Sequence, residues 1–171
     1  FFFDETGAFI GGEYVLSLLA TSFLDKNPGS NIIHDPRVIW NVQDIVTSKG
    51  GKAIQSKTGH AFIKQAMRQT EAIYGGEMSA HHYFKDFAYC DSGMVPWLLI
   101  MELLSTSGMP LSKLVKEQFE AFPSSGENNF TVENADAAIE TVLLKYKPDA
   151  LSIDDTDGVS LAFDNWRFNL R

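Results

Sequence analysis

The chain has 171 residues, room for one large domain or two small ones. Fourteen Lys and Arg against 22 Asp and Glu leave a net charge of −8, so no overall field draws it to nucleic acid or an anionic membrane. Hydrophobic residues at 44% and aromatics at 12% supply a core, and no stretch has the composition of a disordered segment. The single cysteine, Cys90, excludes an internal disulfide and is compatible with a reducing compartment. The apolar run from Met94 to Met101 ends at Glu102 and is too short to span a bilayer, and no basic-then-apolar signal opens the chain. The default expectation is a cytoplasmic protein.

Taken in chain order, Thr6-Gly7 reads as a turn before a short strand Ala8-Phe9-Ile10 and a helix from Glu13 to Leu24. A hairpin and one helix cannot bury Phe1-Phe2-Phe3 alone. Residues 1–28 are therefore read as the end of a domain whose front lies outside this sequence; packing onto the rest of the chain is the alternative.

From Asn31 the pattern becomes strand, helix, strand, helix. Ile32-Ile33 runs through His34-Asp35 into a Pro36 turn, and Val38 to Val46 has a helical apolar side. Gly50-Gly51 closes that unit before a strand over Lys52–Ser56. Thr58 suits the N-cap of a helix with apolar residues at 62, 63, 66 and 67. Ala72-Ile73-Tyr74 forms a third strand ending at Gly75-Gly76; a polar loop leads to a helix that Asp91 or Ser92 caps and that runs to Leu104. This predicts an α/β domain, three-layer-like, with a mainly parallel sheet.

Beyond Ser105 the texture changes to a helix over Leu111–Phe119, a linker over Phe122–Asn129, and a strand over Phe130–Glu133. An Asn134-capped helix to Lys145 follows, then a strand over Ala150–Ile153 and a turn over Asp154–Gly158. A hairpin around Asp164-Asn165 closes the sequence, whose last strand stops at Arg171 without a turn. This is a second, small α+β unit.

Parallel sheets bind ligands at the carboxyl ends of their strands. Two polar clusters fall there: Lys57-Thr58-Gly59-His60 and Gly75-Gly76-Glu77-Met78-Ser79-Ala80-His81-His82. The first offers a cation and free amides at a helix start, or simply an ordinary turn with an exposed Lys. In the second, paired glycines permit positive φ and close approach to the backbone. Glu77 and Ser79 suit vicinal sugar hydroxyls, and a histidine such as His81 can exchange a proton near neutrality. A solvated Gly-rich loop is the plain alternative. His60, Glu77, His81 and His82 could also supply metal ligands, against which stands the poor geometry of adjacent histidines on a short loop. The acidic turn Asp154–Gly158 lacks the spacing of a calcium loop, and Cys90 lies in an apolar context that suits burial.

Lys57-Thr58-Gly59-His60, Gly76-Glu77-Met78-Ser79-Ala80-His81 and Asp157-Gly158-Val159 stand in the order found in α-D-phosphohexomutases. The chain resembles the phosphomannomutase/phosphoglucomutase branch of that family along its whole length, with the Glu77–His81 loop the most specific part. The resemblance implies an internal part of a four-domain enzyme: residues 1–28 end domain 2, 29–110 form the sugar-recognising domain 3, and 111–171 open domain 4. It implies an isomerase that interconverts mannose or glucose 6-phosphate and 1-phosphate through a phosphoserine and a bisphosphate, with Mg²⁺ held by a domain 2 aspartate loop absent from this sequence. On the same basis Lys57 and His81 have catalytic roles, and Gly76, Glu77, Ser79 and Arg171 bind substrate. Arg171 matches the first residue of a phosphate-binding loop whose remainder is not present, so the chain alone is expected to be inactive. A non-catalytic phosphosugar-binding module is the competing reading, and a metal-dependent hydrolase using His60, Glu77 and His81 is a more distant one.

Overall fold

The computed structural model describes residues 1–171, whose internal contacts group into two units, 1–124 and 125–171. The first unit opens with the hairpin β1 (Phe2–Phe3) and β2 (Phe9–Ile10), then helix α1 (Gly12–Lys26). Phe1 and Phe3 stay exposed, packed edgewise or tilted on Phe9.

A five-stranded sheet follows, in the order β4 (Lys52–Gln55), β3 (Asn31–His34), β5 (Tyr74–Gly76), β6 (His82–Phe84), β7 (Cys90–Asp91). The pairs β3–β4 and β3–β5 are parallel, whereas β5–β6 and β6–β7 are antiparallel. The sheet is thus mixed, and β6 and β7 occupy what the sequence reading takes as a polar loop. Strands of three and two residues are too short to display a period of two.

The central strand explains the layers. Successive side chains of a strand point to opposite faces, and both Ile32 and Ile33 are fully buried. Ile32 joins a cluster with Leu16, Leu19, Val42, Val46 and Tyr74, which places α1 and helix α2 (Trp40–Ser48) on one face. Ile33 joins Ile63, Met67 and Tyr83, which places helix α3 (His60–Thr70) on the other. Right-handed crossovers produce this arrangement, because the path β3-α2-β4 runs outward and β4-α3-β5 runs back. Helices α4 (Met94–Ser107) and α5 (Leu111–Ala121) add Ile100, Leu111 and Val115 to the α1 side.

Helix α1 therefore lies in the core of the sheet unit, where the sequence reading separates residues 1–28 from 29–110. Three local expectations change as well. Gly59, at φ 118°, occupies the N-cap of α3 in place of Thr58, and His60 starts the helix. Ser92 accepts from the amides of Met94 and Val95 at 3.2 Å, but the cap residue itself is Gly93. Gly75 and Gly76 do not use positive φ. They are strand residues without a side chain because a Cβ on Gly76 would lie 2.7 Å from the Leu16 side chain, and one on Gly75 3.1 Å from Met67. Both helix layers close onto the sheet at that point.

The second unit holds helix α6 (Ala135–Tyr146) and the antiparallel meander β8 (Ser152–Asp154), β9 (Val159–Ala162), β10 (Arg167–Leu170). Asn134 caps α6 by accepting from the Ala137 amide at 3.0 Å. Phe163 and Trp166 stack at 4.3 Å across the final turn, and Tyr146 meets them edge-on. Phe130–Glu133 is not a strand: it pairs with nothing in the sheets, and Phe130 is 83% exposed. No single helix in the chain is long and apolar enough to cross a membrane.

Candidate functional site

The carboxyl ends of the three parallel strands carry three adjacent loops. After β3 come Asp35 and Arg37, after β4 come Lys57 to His60, and after β5 come Glu77 to His81. The β5–β6 turn is tight: the Glu77 amide donates to His81 O and the Ala80 amide to Glu77 O, with Ala80 at φ 64°. Helix α1 abuts this turn, since a Cβ on Gly12 would lie 2.3 Å from the Met78 carbonyl oxygen.

Glu77 joins two of the loops. It is 1% exposed; one carboxylate oxygen accepts the Gly59 amide at 2.8 Å and the other accepts the Tyr83 hydroxyl at 2.5 Å. Burial, and then the bond to Glu77, raise the pKa of Tyr83 above the ordinary phenol value, so Tyr83 remains a donor. A buried carboxylate with two donors is satisfied rather than stranded.

Asp35 ties in the third loop. Fully buried, it accepts the Met78 amide at 3.0 Å and the Arg37 amide at 2.8 Å, and pairs with the Arg37 guanidinium at 2.6 Å. The sequence reading treats His34-Asp35-Pro36 as a plain turn and misses this pair. A carboxylate and a guanidinium two residues apart, just past a buried parallel strand, are the signal for it.

Three side chains stand at the rim. His60 Nδ1 and His81 Nδ1 each lie 3.4 Å from a different oxygen of Asp91 in β7, and the imidazoles are 4.6 Å apart. Both histidine side chains are about half exposed, at 49% and 45%. Burial pushes the Asp91 carboxyl up, but its own amide, His60, Lys64 and His81 outweigh that and hold it below the usual carboxylate value.

Beneath the rim His82 faces inward, its Nδ1 2.7 Å from the Tyr74 hydroxyl. Burial lowers its pKa to about 3, which keeps the ring neutral. His81 stands exposed at the rim while His82 is turned into the core and Glu77 is engaged by Gly59 and Tyr83, so the set His60, Glu77, His81, His82 is not assembled.

Lys57 is exposed and lies 5.7 Å over the Phe62 ring. Ser79 sits at the exposed tip of the β5–β6 turn, and Gly76 is buried at the end of β5. Arg171 belongs to the second unit, paired with Asp157 at 3.1 Å. The structure brings Lys57, Gly76, Glu77, Ser79 and His81 onto linked loops and adds Asp35, Arg37, His60, Tyr83 and Asp91.

Comparison with known proteins gives this arrangement a family. The family model "Phosphoglucomutase/phosphomannomutase, alpha/beta/alpha domain III" matches residues 11–122. All 171 residues align at 58% identity with a phosphomannomutase of Escherichia coli, and at 54% with a Xanthomonas campestris pv. campestris protein described as phosphohexose mutases. In each case the chain spans 38% of the relative's length. The solved structure of a phosphoglucomutase/phosphomannomutase family protein from Burkholderia thailandensis has a TM-score of 0.69 and 26% identity, over 92% of this chain and 33% of that one. The open form of Paramecium pp63/parafusin shares the fold, with a TM-score of 0.68 at 16% identity over 94% of this chain and 34% of that one. The chain belongs to the phosphoglucomutase/phosphomannomutase family, with residues 11–122 matching that family's α/β/α domain III.

Proposed function

We propose that this chain carries the sugar-recognising part of a phosphomannomutase-type enzyme that interconverts hexose 6-phosphate and hexose 1-phosphate, of mannose or glucose, through a phosphoserine and a bisphosphate. The observation that supports this most directly is the bridge from Gly59 N–H to Glu77, which makes the lysine turn and the Glu77–His81 turn one wall. Glu77 is buried and holds the two turns together through Gly59 and Tyr83, so its remaining lone pairs reach sugar hydroxyls only when the wall opens around it. Ser79 offers a hydroxyl at the rim, and Gly76, whose missing side chain makes room for Leu16, sets the start of the turn that presents it to the sugar. Lys57 supplies positive charge for a phosphoryl group, and His81 is the proton carrier. These groups orient substrate and stabilise developing charge, the main protein contributions to phosphoryl transfer.

Residues 125–171 are proposed to belong to a following domain in which Arg171 contacts phosphate. The Mg²⁺ of the proposed reaction does not fit the groups present. Asp154 accepts the Thr156 amide, Asp157 pairs with Arg171, and the rim cluster is rich in imidazole, whereas Mg²⁺ selects oxygen ligands. The 171-residue chain by itself is expected to show no mutase turnover.

The test is an amide NMR titration of the chain with mannose 1-phosphate and glucose 1-phosphate, beside an assay of their conversion to the 6-phosphates. Shifts concentrated at 57–60 and 76–82 are expected. Shifts confined to other residues, or none at millimolar sugar phosphate, would reject the assignment of the wall.

A further inference from the structure

We infer that His60, His81 and Asp91 form a zinc site at the rim, one that shares His81 with the proposed sugar wall and so competes with its use as a proton carrier. The three come from separate elements, the start of α3, the end of the β5–β6 turn and strand β7, and each offers one ligand atom within 4.8 Å of the others. Zinc holds imidazole nitrogen and carboxylate oxygen at about 2.0–2.2 Å, which in a tetrahedron separates neighbouring ligands by about 3.3 Å. The two histidine-to-Asp91 separations are already 3.4 Å, one to each carboxylate oxygen. An ion needs the two imidazoles to rotate toward each other about the Asp91 carboxylate, and their half-exposed rings give it a path in. Two imidazoles and a carboxylate with open positions suit first-row transition cations and not Mg²⁺ or Ca²⁺.

The surroundings define the site's limits. Lys64 Nζ stands 3.7 Å from Asp91 and must swing to solvent when the cation enters. His82 is turned into the core against Tyr74, and both oxygens of Glu77 are engaged by Gly59 and Tyr83. Neither is a ligand, which leaves the site His60, His81 and Asp91 with open positions for water. Cys90 is adjacent to Asp91 in sequence, but its sulfur contacts the Ala88 carbonyl at 3.8 Å.

The experiment uses the 171-residue chain and metal alone. Isothermal titration with Zn²⁺ should find one equivalent bound, undiminished by excess Mg²⁺. H60Q, H81Q and D91N should each weaken it at least about tenfold, while C90S changes it less than about twofold. Co²⁺ should give visible ligand-field bands without the near-ultraviolet charge-transfer band of a thiolate. Zinc affinity should fall as pH falls, because protons compete for the imidazoles. Amide spectra of the variants report whether each remains folded. No stoichiometric zinc binding, binding that survives all three substitutions, or binding abolished by C90S with a thiolate band would each overturn the site.

Discussion

Helix α1 buries nine of its fifteen residues, whereas helix α6 buries none of its twelve. Both carry apolar residues at helical spacing, so the difference lies in what each unit can offer as cover. The sheet unit has a face of Ile32 and Tyr74 for α1 to close, and Leu16, Leu19 and Ala20 vanish against it. The 47 residues from Ser125 to Arg171 have three short strands, and Leu161 is their one buried apolar residue. Leu144 and Leu151 remain 75% and 70% exposed. Within residues 125–171 no second layer lies over α6, so its apolar side stays uncovered. An apolar stripe identifies the side of a helix that could be covered, and the neighbouring layer decides whether it is.

The contrast is broken most directly by truncating one leucine from each unit. Leu19→Ala removes a fully buried side chain and should cost about 2–5 kcal/mol, the transfer energy plus a cavity. Leu144→Ala, at an exposed position, should stay within about 0.5 kcal/mol. Urea unfolding of both variants measures this, and comparable losses would mean that α6 is held as firmly as α1.

The legible parts of the fold follow the same division. Ile32-Ile33, Ala53-Ile54 and Tyr74 announce parallel strands, and the helices between them have clear apolar spacing, so the α/β layer is readable to within about two residues. The strands β6 and β7 are hidden by brevity. Phe130–Val132 looks like a strand because aromatic and β-branched residues favour strands, yet such propensity expresses packing against neighbours, and in this chain the segment stays exposed. At the site, Glu77, Ser79 and His81 stand out through their glycine-rich setting. Asp35, Tyr83 and Asp91 do not, since each comes from or just beyond a different strand and only tertiary structure brings it to the wall. The role of Gly75-Gly76 is a similar case: the sequence shows that glycine is present, and only the packed neighbours show that space, not positive φ, requires it.

Within the sheet unit the wall itself can be probed through Tyr83. Tyr83→Phe removes one of the two donors to a carboxylate that is 1% exposed, leaving Gly59 N–H as the remaining one. Losing a hydrogen bond to a buried charged group costs about 1.5–3 kcal/mol. The Gly59 and His60 amide resonances should move with it. Ser79→Ala, at the exposed tip of the same turn, should leave stability within about 0.5 kcal/mol. Chemical unfolding and amide spectra separate the two. A stable Tyr83→Phe protein with unmoved Gly59 would show that Glu77 does not bind the loops together.

Below the rim, His82 makes the sheet unit sensitive to mild acid. Its folded pKa is about 3, depressed by burial, against an ordinary value of about 6.5 in the unfolded chain. Between those values the unfolded state binds the extra proton, so stability is complete above about pH 6.5 and declines as pH falls. The slope approaches about 1.4 kcal/mol per pH unit, which amounts to about 2 kcal/mol between pH 6.5 and 5. Most carboxylates have not yet protonated in that window. Urea midpoints across it should therefore decline in the parent chain and flatten in His82→Leu, after allowance for the lost Tyr74 hydrogen bond. An unchanged slope in the variant would remove His82 as the cause.

The smallest effect concerns the caps, and it bears on the same contrast between covered and uncovered helices. Asn134→Ala deletes the acceptor for the Ala137 amide at the start of α6, where the usual cost of a lost N-cap is about 1 kcal/mol. Ser92→Ala deletes an acceptor shared by Met94 and Val95 ahead of α4, a helix that buries Pro96 and Ile100 in the sheet unit. A helix anchored by packing cannot fray without giving up those contacts, whereas α6 has no buried residue to resist. Hydrogen exchange should therefore accelerate through the first two turns of α6 in Asn134→Ala, and near α4 only at the freed amides in Ser92→Ala. Equal fraying of the two helices would show that tertiary burial is not what separates them.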